Sequence, residues 1–457
     1  MKKVLSILIM GFLFLSVPVT VNANSALKFW EGTSATGTFS SDEDCPLIVE
    51  HEDLYFEIPD LPPAWFTTAE ALKDYHSHVR AEYIFTNPTE MTITSRLVFP
   101  FGQFPSYGGI RGITDTDTDA YAVEINGQPA DVHLRYTYME HDFSVEKDLP
   151  LLLDTYSEDD FYTPDLKVTR YTLKAQDLPQ ADHTVLAIHV PGRPEQYRLY
   201  LDPANMYLDK QGELWTGVFI NNNETVDLWV FGDDFELPDW QGYEDMSLEK
   251  KTSGSMVLTE TEEMTLEEYA MRKYPGALIT QSDWYNAIVT MLKNHTSDLG
   301  LINEIPQEPE YYLMRWYEYE FTLGPGESLK NAVTAPLYPS RDEYYKDPVY
   351  GYTYLLSPAK TWSSFGDLDV YVNTGLFMTS WDKEIFAFEK TDSGYQAHLD
   401  ALPGSELKFN LCTVKSPSRD DNGTLAVLAI VGIALVVGIL LLILIIKLLI
   451  RLIRLIF

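Results

Sequence analysis

HVRAEYIFTNPTEMTITSRLVFP, residues 78–100, decides the fold class. Val79, Ala81, Tyr83 and Phe85 alternate with polar residues, the period of a half-buried strand. Asn87-Pro88-Thr89-Glu90 is a turn, after which Met91, Ile93, Leu97 and Phe99 resume the pattern and Pro100 ends the strand by removing a ladder donor. The same grammar recurs downstream. Tyr121, Val123 and Ile125 lead into Asn126-Gly127, a strong hairpin signal, and Val132, Leu134 and Tyr136 return. Strands are expected at 168–173, 184–190, 197–201, 214–220 and 226–231, with Asn221 to Glu224 joining the last two as a hairpin.

Between about 241 and 305 the period changes. Thr265-Leu266-Glu267-Glu268 has the form of a capping box, and Trp284, Ile288, Leu292 and His295 recur at helical spacing. From Tyr311 alternation returns through Leu313, Arg315, Tyr317, Tyr319 and Phe321; Gly324-Pro325-Gly326 turns the chain. Later strands are expected near 350–356, 368–372, 376–380, 385–389 and 406–412. Short strands with Gly/Pro turns favour sandwiches over a parallel sheet. The expected fold is mainly β: two antiparallel β-sandwich-like domains with a small helical insertion and one C-terminal transmembrane helix.

The ends suggest a topology. Met1-Lys2-Lys3, an apolar run to Val17 and Val21-Asn22-Ala23 read as a secretory signal cleaved after Ala23. Residues 424–446 carry no charge and are long enough for a helix to cross the lipid bilayer. Lys447, Arg451 and Arg454 follow on one helical face, which orients the C-terminus to the cytoplasm. The expected organisation is a signal peptide (1–23), an N-terminal β domain (24–240), a helical insertion (241–305), a C-terminal β-sandwich domain (306–415), a stalk (416–423), the span (424–446) and a basic tail (447–457). The protein would then sit in the cell membrane as a single-pass chain with its ectodomain outside. Leu402-Pro403-Gly404-Ser405-Glu406 is rejected as a sorting signal, because it lacks Thr-Gly and lies well before the span.

Composition narrows the function. The 457 residues are 45% apolar, 13% aromatic and 22% charged, which excludes wholesale disorder and a many-pass membrane protein. The net charge of -35 repels nucleic acid.

Three segments carry a resemblance: Cys45 to Ile58, the Tyr83 to Phe101 stretch ending Val-Phe-Pro-Phe, and Tyr352 to Asp369, within which Ser357 to Gly366 is the most specific. Together they cover about a third of the chain, and they resemble an uncharacterised family of exported, membrane-anchored, β-rich bacterial proteins, many of them Gram-positive. The resemblance implies an extracytoplasmic β-rich body and carries no chemistry. Ser357-Pro358 reads as a strand end, with Trp362 and Phe365 plugging a domain edge.

Asp115, Asp117 and Asp119 form the first half of a calcium-loop pattern, but Ala120 and Asn126 stand where such a loop needs Gly and Glu. The alternatives are a shallow calcium site and a solvated acidic loop. His76 and His78 share one face of an extended segment, either as two metal ligands or as solvent-facing side chains. Cys45 and Cys412 fall near the two ends of the ectodomain. They are either a disulfide, worth about 5 kcal/mol in the chain-entropy limit, or two buried thiols. Tyr311, Tyr317, Tyr319, Tyr350, Tyr352 and Tyr354 alternate as core residues would, with a ligand platform as the rival reading. The sequence has no Gly-x-Ser-x-Gly elbow and no His-Glu-x-x-His helix. The expected role is binding an envelope protein or polysaccharide, with no enzyme function and no cofactor beyond calcium. A surface hydrolase acting through unrecognised carboxylates is one alternative. The other is a membrane-complex assembly subunit, supported by Gly432, Ala434 and Gly438 in the span.

Overall fold

The computed structural model describes residues 29–30, 35–36, 38–41, 45–62, 75–102, 121–141, 143–179, 184–190, 195–202, 206–210, 213–233, 235–276 and 279–419. The expected signal peptide, span and basic tail lie outside these residues. Among the described residues no helix is long and apolar enough to cross a membrane.

The chain is mainly β. It first lays down β1 (Ile48–Ile58), β2 (His78–Thr86), β3 (Ile93–Gly102), β4 (Ala122–Ile125) and β5 (His133–Tyr138). A second set follows: β6 (Lys167–Gln176), β7 (Val185–Val190), β8 (Tyr197–Asp202), β9 (Glu213–Phe219), β10 (Thr225–Gly232) and β11 (Ser255–Thr265). Helices α1 (Leu266–Met271) and α2 (Gln281–His295) come next. The chain then returns through β12 (Leu313–Leu323), β13 (Ser328–Pro336), β14 (Val349–Leu355), β15 (Ser364–Thr374), β16 (Gly394–Leu399) and β17 (Leu407–Cys412).

Strands of the first and last sets share sheets. One eight-stranded sheet runs Glu389–Lys390, β16, β15, β1, β2, β13, β4 and Gln128–Pro129. Opposite it lie a four-stranded sheet, Phe39–Ser40, β3, β12 and β5, and a six-stranded sheet built around β14 and β17. Phe56 of β1 meets Tyr354 and Phe409 edge-on with ring centroids 5.9 and 5.1 Å apart, and Phe85 of β2 meets Phe321 at 5.5 Å. The strands expected in separate domains at 24–240 and 306–415 thus form one sandwich around one core. The middle set forms a second sandwich, β8-β10-β6-β11 against a sheet centred on β9 and β7, with its own core of Leu173, Ile188, Leu201 and Leu228.

The expected turns and hairpins are built differently. β2 pairs with β1 and β13, whereas β3 pairs with β12 and the Phe39–Ser40 strand, so 87–92 crosses between facing sheets. Gly324-Pro325-Gly326 carries β12 to β13 beside it in the same manner. Asn87 locks the two arches together: its backbone N–H donates to the Glu327 carbonyl and its side-chain N–H groups reach the carbonyls of Met91, Leu323 and Gly324. Likewise β9 pairs with β7 while β10 pairs with β6 and β8, so Asn221 to Glu224 joins two sheets. Asn126-Gly127, both at positive φ, does turn β4 onto Gln128–Pro129, but β5 leaves to pair with β12. Each turn bends the chain as its residues require; the apolar surface waiting on the facing sheet decides where the next strand goes.

Local signals otherwise hold with shifted ends. Thr265 and Glu268 make both hydrogen bonds of the capping box, and Thr280 caps α2 by accepting from the Asp283 N–H at 3.0 Å. Trp284, Ile288 and Leu292 are buried, packed with α1 against Trp229 and Phe231 on one side and Tyr136 and Tyr138 on the other. The 241–265 part of the expected helical insertion is instead β-structured and ends in β11. Pro100 does not end β3; it stands opposite Trp316, where a bulge at Arg315/Trp316 absorbs the missing donor. Tyr311 lies in a 3-10 turn, and 385–389 holds no strand beyond Glu389.

Candidate functional site

In β1 the alternation buries Glu52, Leu54, Phe56 and Ile58 and turns His51, Asp53, Tyr55 and Glu57 outward. In β15 it buries Leu368, Val370 and Val372 and turns out Asp367, Asp369, Tyr371 and Asn373. These strands pair in parallel, with Asp367 beside His51, Asp369 beside Asp53 and Tyr371 beside Tyr55. β16 adds His398 beside Asp369. The outer face of the eight-stranded sheet therefore carries three short motifs, His51-x-Asp53, Asp367-x-Asp369 and His398-x-Asp400, in adjacent strands.

A bulge precedes the cluster on the other side of β1. β1 shifts against β2 between Val49 and His51, leaving Glu50 as the extra residue. Gly366 faces it across the parallel pair, and a Cβ there would stand 2.0 Å from the Glu50 carbonyl oxygen. Only glycine lets the two strands approach here. Trp362, just upstream, is buried with its ring centroid 4.7 Å from that of Phe85.

His51 is the centre of the cluster. Its Nε2 lies 3.2 Å from Asp53 Oδ1 and 3.9 Å from Asp369 Oδ2, and its Nδ1 lies 3.2 Å from Asp367 Oδ1. One potential ligand atom each from His51, Asp367 and Asp369 lies within 4.8 Å of the others. His398 Nδ1 is 2.8 Å from Asp369 Oδ1 and its Nε2 is 3.4 Å from Asp400. Burial opposes the charge on His51, but hydrogen bonds to Asp367 and Asp53 outweigh it and raise the imidazole pKa. The hydrogen bond to Asp369 raises that of His398. Asp367 is lowered, because the His51 contact outweighs its slight burial. Beside the cluster Tyr55 and Tyr371 stack, centroids 4.9 Å apart and 11° from parallel. Burial first and then the neighbouring aspartates raise both phenols.

Directly behind, Glu52 points into the core. It is fully buried, accepts a hydrogen bond from the Tyr354 hydroxyl at 3.0 Å, and has its pKa pushed up to about 7, chiefly by burial.

Among residues singled out in the sequence, Asp115, Asp117 and Asp119 lie outside the described residues, as do Lys447, Arg451 and Arg454. Cys45 and Cys412 are buried free thiols with different neighbours, Ser95 Oγ at 3.4 Å and the Asp347 carbonyl at 3.7 Å. His76 is exposed beside Asp60, and His78 Nδ1 contacts the His76 carbonyl. Tyr317, Tyr319, Tyr350, Tyr352 and Tyr354 are core residues, whereas Tyr311 is exposed. The His51 cluster was not singled out in the sequence. Its trace there is an acid or imidazole two positions before an aspartate on three strands, a pattern that any solvated strand face also produces.

No family model and no curated protein matches the chain. Among solved structures, a Legionella pneumophila protein of proposed nutrient-binding function aligns with a TM-score of 0.32 at 8% identity, over 84% of this chain and 72% of that one. A likeness at that level carries no function across.

Proposed function

We propose that this chain is a binding module of the cell envelope. Its secretory signal and C-terminal span would hold the β-rich body outside the membrane, and the outer face of its eight-stranded sheet would be the recognition surface for an envelope protein or polysaccharide. The observation that carries the reading is the grouping of His51, Asp53, Tyr55, Asp367, Asp369, Tyr371 and His398 on one sheet face. A solvated face is served equally well by scattered Lys, Thr and Glu, whereas convergent imidazoles and carboxylates beside an aromatic pair supply directional and stacking contacts to a ligand.

The test immobilises the full-length chain in detergent and challenges it with envelope fractions. Tyr55→Ala with Tyr371→Ala, and separately Asp53→Asn with Asp369→Asn, are expected to lose the retained partner, while Lys250→Ala on the second sandwich keeps it. Equal retention by all four proteins would refute this face as the recognition surface. Consumption of an envelope polysaccharide, abolished by the aspartate changes, would convert the reading to a hydrolase.

A further inference from the structure

The carboxylates on this sheet face are neutralised unequally. Toward β13, Glu82 is held by Arg80 Nε at 2.8 Å and by Lys330, and Glu124 takes the other end of Arg80 at 2.8 Å. On the adjoining strands β1 and β15 and just past β16, Asp53, which lies opposite Glu82, and Asp367, Asp369 and Asp400 form no ion pair with Lys or Arg among the described residues; their charged partners are His51 and His398. Four carboxylates thus stand together around two imidazoles, with no Lys or Arg paired to them among the described residues. Such a field is complemented by a divalent cation.

The donor set discriminates among cations. Calcium and magnesium take oxygen ligands, whereas an imidazole nitrogen at the centre of a carboxylate group suits a first-row transition ion. Supporting contacts are also in place. If His51 Nδ1 ligates on the side of Asp367, Nε2–H is left to Asp53 at 3.2 Å, which would fix tautomer and ring plane, and the Asp369 carboxylate, 3.9 Å from Nε2, would turn toward Nδ1. His398 holds Asp369 from the far side at 2.8 Å. Ligand atoms of tetrahedral zinc lie about 3.4 Å apart, so the side chains, now within 4.8 Å, close by about 1.4 Å at most. The Asp367 side chain is 42% exposed, and an ion would retain an open position toward solvent.

We propose that His51, Asp367 and Asp369 bind one divalent first-row transition ion of zinc type, with Asp53 and His398 as positioning residues. The proposal deepens the reading of this face as a recognition surface, since the ion would offer its open position to a donor group of the partner. The binding itself is measurable with no partner present.

The test is calorimetric titration of the chelator-treated full-length protein with zinc chloride at neutral pH, with calcium chloride in a parallel run. One zinc per chain is expected, with calcium at least about 100-fold weaker. His51→Gln should weaken zinc by at least about tenfold, and Asp367→Asn with Asp369→Asn should abolish stoichiometric binding. His76→Ala, which removes an exposed imidazole elsewhere, should change nothing. The aspartate variants sit at half-buried positions on the outer face, and an unchanged circular dichroism spectrum would show that they fold. No stoichiometric zinc, calcium binding as tightly as zinc, or undiminished zinc affinity in both site variants would each overturn the proposal. Partner retention that survives chelation would leave the recognition face standing without the ion, so the two readings fail separately.

Discussion

Replacing Glu52 by glutamine should change how stability depends on pH. The carboxyl is fully buried between the facing sheets, with the Tyr354 hydroxyl as donor and the Tyr83 hydroxyl 3.2 Å beyond that. Burial raises its pKa from an ordinary 4.5 to about 7. In the folded protein it holds its proton up to about 7, whereas the unfolded chain releases it near 4.5. Between those values the folded state binds more protons, so unfolding becomes easier as pH rises. The stabilising contribution is complete below 4.5, fades through the interval and is lost above about 7. At about 1.4 kcal/mol per pH unit, the interval corresponds to about 3 kcal/mol. Glutamine keeps the shape and an acceptor for Tyr354 but has no proton to release. Urea unfolding of wild type and Glu52→Gln, paired at steps from pH 4 to 8, isolates the effect, because the other acids are common to both proteins. The stability gap should move in favour of the variant by about 3 kcal/mol from the acid to the alkaline end. Parallel pH profiles would refute the reasoning, and a gap moving the other way would mean that Glu52 is charged in the folded state.

Asn87→Ala removes the amide that ties the two arches; with three carbonyls losing their donor in a buried setting, urea unfolding should show a loss of about 3 kcal/mol. Gly366→Ala places a methyl group against the Glu50 carbonyl, so β15 must move away from β1; zinc titration should show weakened binding even though no ligand is changed. Arg135 bonds Asp283 through Nε at 3.1 Å and Nη2 at 3.0 Å in a buried setting, and Arg135→Met leaves that carboxylate with the Tyr136 N–H but without its counter-charge. A loss of about 3–5 kcal/mol is expected in thermal or urea unfolding, and it should be largely recovered by adding Asp283→Leu.

The sequence by itself determined which residues face inward. Val79, Ala81, Tyr83 and Phe85 are all buried, Thr265 and Glu268 cap a helix, and Asn126-Gly127 turns with both residues at positive φ. These outcomes rest on interactions spanning a few residues, so the local pattern is enough to specify them. Only the tertiary structure decided which strands lie side by side. Asn87-Pro88 marks a bend whether the chain folds back as a hairpin or crosses to a facing sheet, and burial of β3 against β12 selected the crossing. The same holds for the His51 cluster. His51-Glu52-Asp53 and Asp367-Leu368-Asp369 lie some three hundred residues apart, and each alone is an ordinary polar edge of a strand. A one-residue slip between β1 and β15 would send one motif inward, and the bare Cα of Gly366 lets the two strands meet in the register that keeps both outward. Whether Glu52 is a solvated acid or a buried one was equally settled by the sheet packed over it, because desolvation belongs to the assembled core and to no stretch of sequence.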